Sequence, residues 1–132
     1  MPRVVSGVAG SIILEAPEGM KTRPTSDKVK EAVFNILAEK VFDCSFLDLY
    51  SGSGQIGIEA LSRGAKRAVF VENNAICVKI ILKNLKKTHL ESNSRVLNMK
   101  VLTGIKTLNG DNGFDIIYAD PPYLNAINDF EA

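Results

Sequence analysis

The chain has 132 residues and a net charge of +1, with 45% hydrophobic and 23% charged residues. That is enough for one globular domain with a real core, though tight for a full doubly wound sheet, and the near-neutral charge confines any nucleic-acid contact to a local patch. No apolar run reaches membrane-spanning length, Met1-Pro2-Arg3 opens no signal segment, and Cys44 and Cys77 have neither disulfide nor metal spacing. The expectation is a cytoplasmic protein with buried thiols, no membrane span and no metal.

In chain order, Val4-Val5 and Ile12-Ile13-Leu14 flank Gly7 and Gly10 and read as a β-hairpin outside the main sheet. Pro17, Gly19 and Pro24 mark a loop, which Thr22-Arg23-Pro24-Thr25-Ser26-Asp27 leads into a helix capped by Thr25, Ser26 or Asp27. Val29, Ala32, Val33, Ile36 and Leu37 recur at helical spacing and are expected to face the core, with Lys28, Lys30, Glu31 and Asn35 outside. Phe46 to Tyr50 is the first main strand, Gln55 to Arg63 its helix, and Gly64 a stop signal. Ala68 to Glu72 follows as a strand. The next helix, capped by Asn73 or Asn74, runs through Val78, Ile81, Leu82 and Leu85, with Lys79, Lys83, Lys86 and Lys87 on its solvated side. Arg95 to Met99 is a third strand, Thr103 to Leu108 a short helix, 109–113 a turn cluster, and Phe114 to Ala119 a fourth strand. Alternating strands and helices predict an α/β fold with a parallel, Rossmann-like sheet whose ligands sit at the carboxyl ends of the strands.

Three features fall on that rim. Gly52, Gly54 and Gly57 spell GxGxxG between a strand and a helix, where glycine lets the backbone turn tightly and approach a nucleotide-like ligand. Glu72 ends the next strand about 20 residues on, as a ribose-binding acid should. Asp48 is placed to cap the glycine loop's own amides, a role compatible with ligand binding. Both dinucleotides and S-adenosylmethionine (SAM) carry ribose hydroxyls, so this much fits either. Asp120-Pro121-Pro122-Tyr123 separates them, because hydride transfer has no use for it. A guanine exocyclic amine is poorly nucleophilic, since its lone pair is delocalised into the ring. The Asp120 carboxylate and the Pro121 carbonyl, accepting its two N–H groups, would localise electron density on nitrogen. Pro122 stiffens the loop, and Tyr123 can stack on the base. Arg23, in a loop before a helix, suits a ligand or RNA phosphate. His89 is assigned no chemistry, and Ser51 and Ser53 lack partners for a nucleophile.

Together these residues resemble the RsmD family of bacterial 16S rRNA guanine-N2 methyltransferases. The resemblance runs through Arg3-Val4-Val5-Ser6-Gly7, Thr22 to Asn35, Phe46 to Ala65, and Asp120 to Tyr123. It implies a class I SAM-dependent methyltransferase acting on 16S rRNA or the assembling small ribosomal subunit. By that match Ser51, Gly52, Ser53 and Gly54 line SAM, with Asp48 and Asn73 beside them. Glu72 takes the ribose, the Val101 N–H meets the adenine, and Asp120 to Tyr123 hold the target base. Arg3, Arg23 and Thr25 are candidate RNA contacts.

Three departures stand out. Ser11-Ile12-Ile13 replace basic residues usual in the hairpin, and Lys100 stands where the family has an Asp or Asn facing the adenine amino group. The chain also ends soon after Tyr123, where the family's sheet continues. The expected organisation is a hairpin extension over 1–20 and a methyltransferase domain over 21–132, truncated at its C-terminus. Self-association is expected through the fourth strand's open edge. The rival functions are a NAD-binding oxidoreductase and a non-catalytic remnant that binds SAM or RNA.

Overall fold

The computed structural model describes residues 2–17, 26–111 and 113–121. Its elements are α1 (Asp27–Leu37), β1 (Ser45–Leu49), α2 (Gln55–Ser62), β2 (Arg67–Glu72), α3 (Ala75–Lys87), β3 (Ser94–Asn98), α4 (Val101–Thr107) and β4 (Ile116–Ala119). The four strands form one parallel sheet in the order β3-β2-β1-β4. Strand order reverses between β1 and β4, which makes the carboxyl ends of these two strands the topological switch point.

The central strands β1 and β2 read as apolar runs because both faces of the sheet are covered there. Phe46, Ala68 and Phe70 face one core with Phe34, Ile56, Ile58, Ile81 and Leu85, contributed by α1, α2 and α3. Leu47, Leu49, Val69 and Val71 face a second core with Leu97, Val101 and Leu108, on the α4 side. The third glycine of GxGxxG serves this packing. A Cβ on Gly57 would lie 2.3 Å from the Phe70 ring, so only glycine lets α2 sit this close to β2. At the opposite end of the sheet, Arg67 ties Asp111 and Gly113 to β1 and β2. It bonds both Asp111 carboxylate oxygens, the Gly113 carbonyl and Ser45 Oγ, and lies over the Phe114 ring.

Two expectations are corrected. Ser26 caps α1 as anticipated, its side chain accepting from the Val29 N–H. The helix nevertheless buries Lys30 and Phe34, and of its apolar stripe Val33 and Leu37 pack against the core while Val29 and Ile36 do not. Ile36 is 82% exposed and Val29 half exposed, with Val33 and Leu37 only partly covered. The reason is a buried anion: Lys30, wholly enclosed, lies 3.8 Å from the equally buried Glu59 of α2 and donates to the Arg3 carbonyl. Helical spacing then rotates Phe34, one turn on, into a stack with Phe46 at 6.3 Å.

The predicted hairpin forms in short form: an antiparallel bridge, Arg3 to Ile13, flanked by hydrogen bonds from the Leu14 N–H to the Pro2 carbonyl and from the Val4 N–H to the Ile12 carbonyl, without extended strands. What orders this N-terminal arm is docking onto α2 and α3. Glu59 accepts from the Val5 and Ser6 N–H groups at 2.8 and 3.1 Å and from Arg63 Nε at 2.8 Å. Ser62 Oγ accepts from the Ala9 N–H and donates to the Ser6 carbonyl, while the Ser62 carbonyl accepts from the Val8 N–H. Gly7, at φ +88°, permits this approach, since a Cβ there would lie 1.9 Å from the Ser62 carbonyl oxygen.

Candidate functional site

The rim at the switch point begins with the turn out of β1. Tyr50 adopts φ +58°, followed by Gly52 at +59° and Gly54 at +80°. The loop is held from beneath at almost every peptide. Ser51 N–H donates to the Val71 carbonyl at 3.2 Å, Ser51 Oγ to the Asp48 carbonyl at 2.6 Å, and Gly54 N–H to the Ser51 carbonyl at 2.9 Å. Gly54 backs onto Ile81, with a Cβ there 3.1 Å from it, whereas a Cβ on Gly52 would meet nothing within 4 Å. The loop therefore has a packed underside and an open upper side, the shape required to lay backbone against a flat ligand.

Two carboxylates organise it. Asp48 Oδ2 accepts from the Gly57 N–H at 3.0 Å, which caps the first turn of α2 as its position suggested. The side chain is almost fully buried, and that burial pushes its carboxyl up to about 7. The Gly57 N–H pulls it down, and the negative charges of Glu72 and Asp120 push it further up. Glu72 closes β2 and grips the loop: Oε1 accepts from the Gly52 N–H at 2.8 Å and Oε2 from the Asn74 N–H at 2.9 Å. A carboxylate has about four lone-pair sites, so two remain for ribose hydroxyls. Asn74, rather than Asn73, caps α3, accepting from Ile76 and Cys77; Asn73 is exposed beside it.

Among the remaining predicted residues, Lys100 is exposed and precedes α4 without capping it through its side chain, while Val101 is buried as the first residue of that helix. Asp120 is exposed immediately beyond β4, beside β1, with Pro121 partly buried after it. Pro122, Tyr123, Arg23 and Thr25 lie outside the described residues. Arg3 binds Asp27 at 2.7 Å, at the start of α1. Both cysteines are buried and free, and burial raises the Cys77 thiol to about 11. Among the described residues no set of three His, Cys, Asp or Glu side chains gathers as metal ligands do.

The open loop face, the spare acceptor capacity of Glu72 and the nearby acids fit a nucleoside cofactor bearing positive charge. Asn84 and Glu59, both fully buried, contribute to this architecture and were not singled out from the sequence. Each is a polar residue inside an apolar stripe. Asn84 falls between Ile81 and Leu85, and Glu59 among Ile56, Ile58, Ala60 and Leu61. That interruption is the signal that marks them.

Comparison with known proteins places the chain. The family model described as conserved hypothetical protein 95 matches residues 2–130. Ribosomal RNA small subunit methyltransferase D of Escherichia coli K12 is 34% identical over 125 residues, covering 95% of this chain and 62% of that protein. The chain spans 62–66% of the length of this and two further curated relatives, from Bacillus subtilis and Haemophilus influenzae. A hypothetical protein of Thermus thermophilus superposes with a TM-score of 0.83 at 28% identity, covering 94% of this chain and 71% of that one. A structure described as a putative methyltransferase complexed with SAH shares the fold at TM-score 0.61 and 23% identity, covering 72% of this chain and 25% of that one. The four-stranded parallel sheet is thus the Rossmann-like sheet of class I methyltransferases, and the chain belongs to the conserved hypothetical protein 95 family, the RsmD family that its motifs resemble.

Proposed function

We propose that this chain carries the cofactor site and the catalytic acid of a SAM-dependent methyltransferase that modifies the exocyclic N2 amine of a guanine in small-subunit rRNA. The observation that carries the reading is the gathering, on one rim, of the glycine loop, Glu72 at the end of β2 and Asp120 at the end of β4. Their strands both flank β1, so cofactor acid and catalytic acid stand on either side of the loop.

In this reading Glu72 accepts from the ribose hydroxyls while keeping the Gly52 N–H, so ligand and loop are fixed by one side chain. Ser51, Gly52, Ser53 and Gly54 form the bed, with Asp48 beneath and Asn73 at the margin. The Val101 N–H meets the adenine edge. Lys100 can only donate hydrogen bonds, so adenine recognition leans on backbone at this point. The cofactor supplies an electrophilic methyl on a sulfonium. The Asp120 carboxylate accepts one N–H of the guanine amine and the Pro121 carbonyl the other, which raises electron density on nitrogen and gives the departing proton an acceptor. Tyr123, by stacking, and Pro122, by stiffening the turn, hold the flipped base. Arg3, Arg23 and Thr25 are RNA contacts in this reading, and the partner is 16S rRNA or the assembling subunit.

Calorimetry tests the cofactor assignment. SAH is expected to bind and NADH is not. Glu72→Ala should weaken SAH by about 1.5–3 kcal/mol, the scale of a hydrogen bond to a charged group. Binding of NADH in preference to SAH would overturn the assignment, and an unchanged SAH affinity in the folded variant would remove Glu72 from the site.

A further inference from the structure

Asn84 of α3 is fully buried and makes three hydrogen bonds that join two distant parts of the chain. Its Oδ1 accepts from the Glu15 N–H at 2.8 Å. Its Nδ2 donates to the Glu15 carbonyl at 3.0 Å and to the Ser53 carbonyl at 3.0 Å. The first two partners belong to the N-terminal arm, and the third sits within the glycine loop. Both Nδ2 protons are committed, so the amide has one orientation that satisfies all three partners.

The Ser53 carbonyl is therefore turned down into the protein, away from the open side of the loop. The N–H of the same peptide group, from Gly54, is already spent on the Ser51 carbonyl, and Ile81 closes the space beneath Gly54. Without a donor at Asn84, a buried carbonyl would lack its partner and the loop would relieve this by turning that peptide over. The same side chain loses the arm's peptide when the arm departs.

We infer that Asn84 is a positioning residue that holds the glycine loop in its cofactor-binding shape and couples that shape to docking of the N-terminal arm. The inference rests on the reading of the loop as a nucleoside-cofactor site. Coupling is reciprocal: if a docked arm favours the binding shape, a bound cofactor must favour the docked arm by the same factor.

The test is amide hydrogen exchange by NMR together with calorimetry, on the 132-residue chain with and without SAH. In the unmodified protein, saturating SAH is expected to slow exchange of the Glu15 amide at least about fivefold, with smaller slowing at Val5 and Ala9. Asn84→Asp preserves shape and the acceptor for Glu15 but removes both donors. It should weaken SAH at least about tenfold and abolish the SAH-dependent protection of Glu15, while the β2 amides stay protected. Any bound ligand slows amides that exchange by global unfolding, so the β2 amides are the reference, and slowing at Glu15 beyond theirs is what a merely structural Asn84 would not produce. Gly7→Ala provides a second approach, because it disturbs docking at the far end of the arm without altering Asn84 or the loop. It is expected to weaken SAH several-fold. SAH binding with unchanged Glu15 exchange, or wild-type affinity in either folded variant, overturns the coupling alone. Absence of any SAH binding by the unmodified chain overturns the cofactor reading, and the coupling with it.

Discussion

Asp48 shows how the fold sets the chemistry of a single group. Its neighbours in β1 are apolar, yet it is held in the sheet because the first turn of α2 needs an acceptor for the Gly57 N–H. Burial lifts its carboxyl from an ordinary 3.8 to about 7, with the charges of Glu72 and Asp120 adding to the effect. Between about pH 4 and 7 the folded protein holds a proton at Asp48 that the unfolded chain releases. Its contribution to stability is therefore lost as pH rises through that window and is flat above it. At about 1.4 kcal/mol per pKa unit, the effect amounts to a few kcal/mol. Urea denaturation of the protein and of Asp48→Asn, from about pH 4 to 8, should give a stability difference that shifts in favour of the variant up to about pH 7. A difference independent of pH would contradict the assigned environment. Sequence spacing was sufficient to place the glycine loop, Glu72 and Asp120 on one rim, because strand ends are marked by where apolar runs stop. It could not reveal that Glu72 already grips Gly52 and Asn74, since that contact depends on the relative height of two strands.

At the scale of elements, α1 is where periodicity located the inward face only in part. Val33 and Leu37 of the stripe pack against the core, but the buried carboxylate of Glu59 turns Lys30 and Phe34 fully inward and leaves Val29 and Ile36 exposed. Burial pulls the Lys30 ammonium down and the charge of Glu59 opposes it, so the pair survives only through its further bonds to Arg63 and to the backbone of residues 3, 5 and 6. Glu59→Ala strands Lys30 and two backbone N–H groups and should cost about 3–5 kcal/mol. Lys30→Met leaves Glu59 with Arg63 and both amides, and should cost less than half as much. Equilibrium unfolding in urea measures both; equal losses would show that the backbone amides carry none of the effect. No local pattern encodes this arrangement, because Lys30 and Glu59 meet only after three elements have packed. By contrast, α2, α3, β1 and β2 were legible, since the centre of a parallel sheet, buried on both faces, leaves apolar runs bounded by glycine and asparagine.

At the scale of the molecule, β4 is an edge of the described sheet, and its Ile117 is 60% exposed on the α4 side. An apolar edge left uncovered among the described residues can recruit further strands. Sedimentation of the chain is expected to show concentration-dependent self-association, and a stable monomer at high concentration would contradict it. The strand order that leaves β4 outermost also sets it against β1 and so delivers Asp120 to the glycine loop. The proposed methyl transfer from this rim to guanine is tested most directly with tritiated SAM supplied with immature small ribosomal subunits or naked rRNA. Label is predicted to appear in N2-methylguanosine after nuclease digestion. Asp120→Ala should lower incorporation at least about a hundredfold while SAH still binds nearly as before. Label in a different nucleoside, equal loss of SAH binding and transfer in Asp120→Ala, or no incorporation by a chain that binds SAH would contradict it.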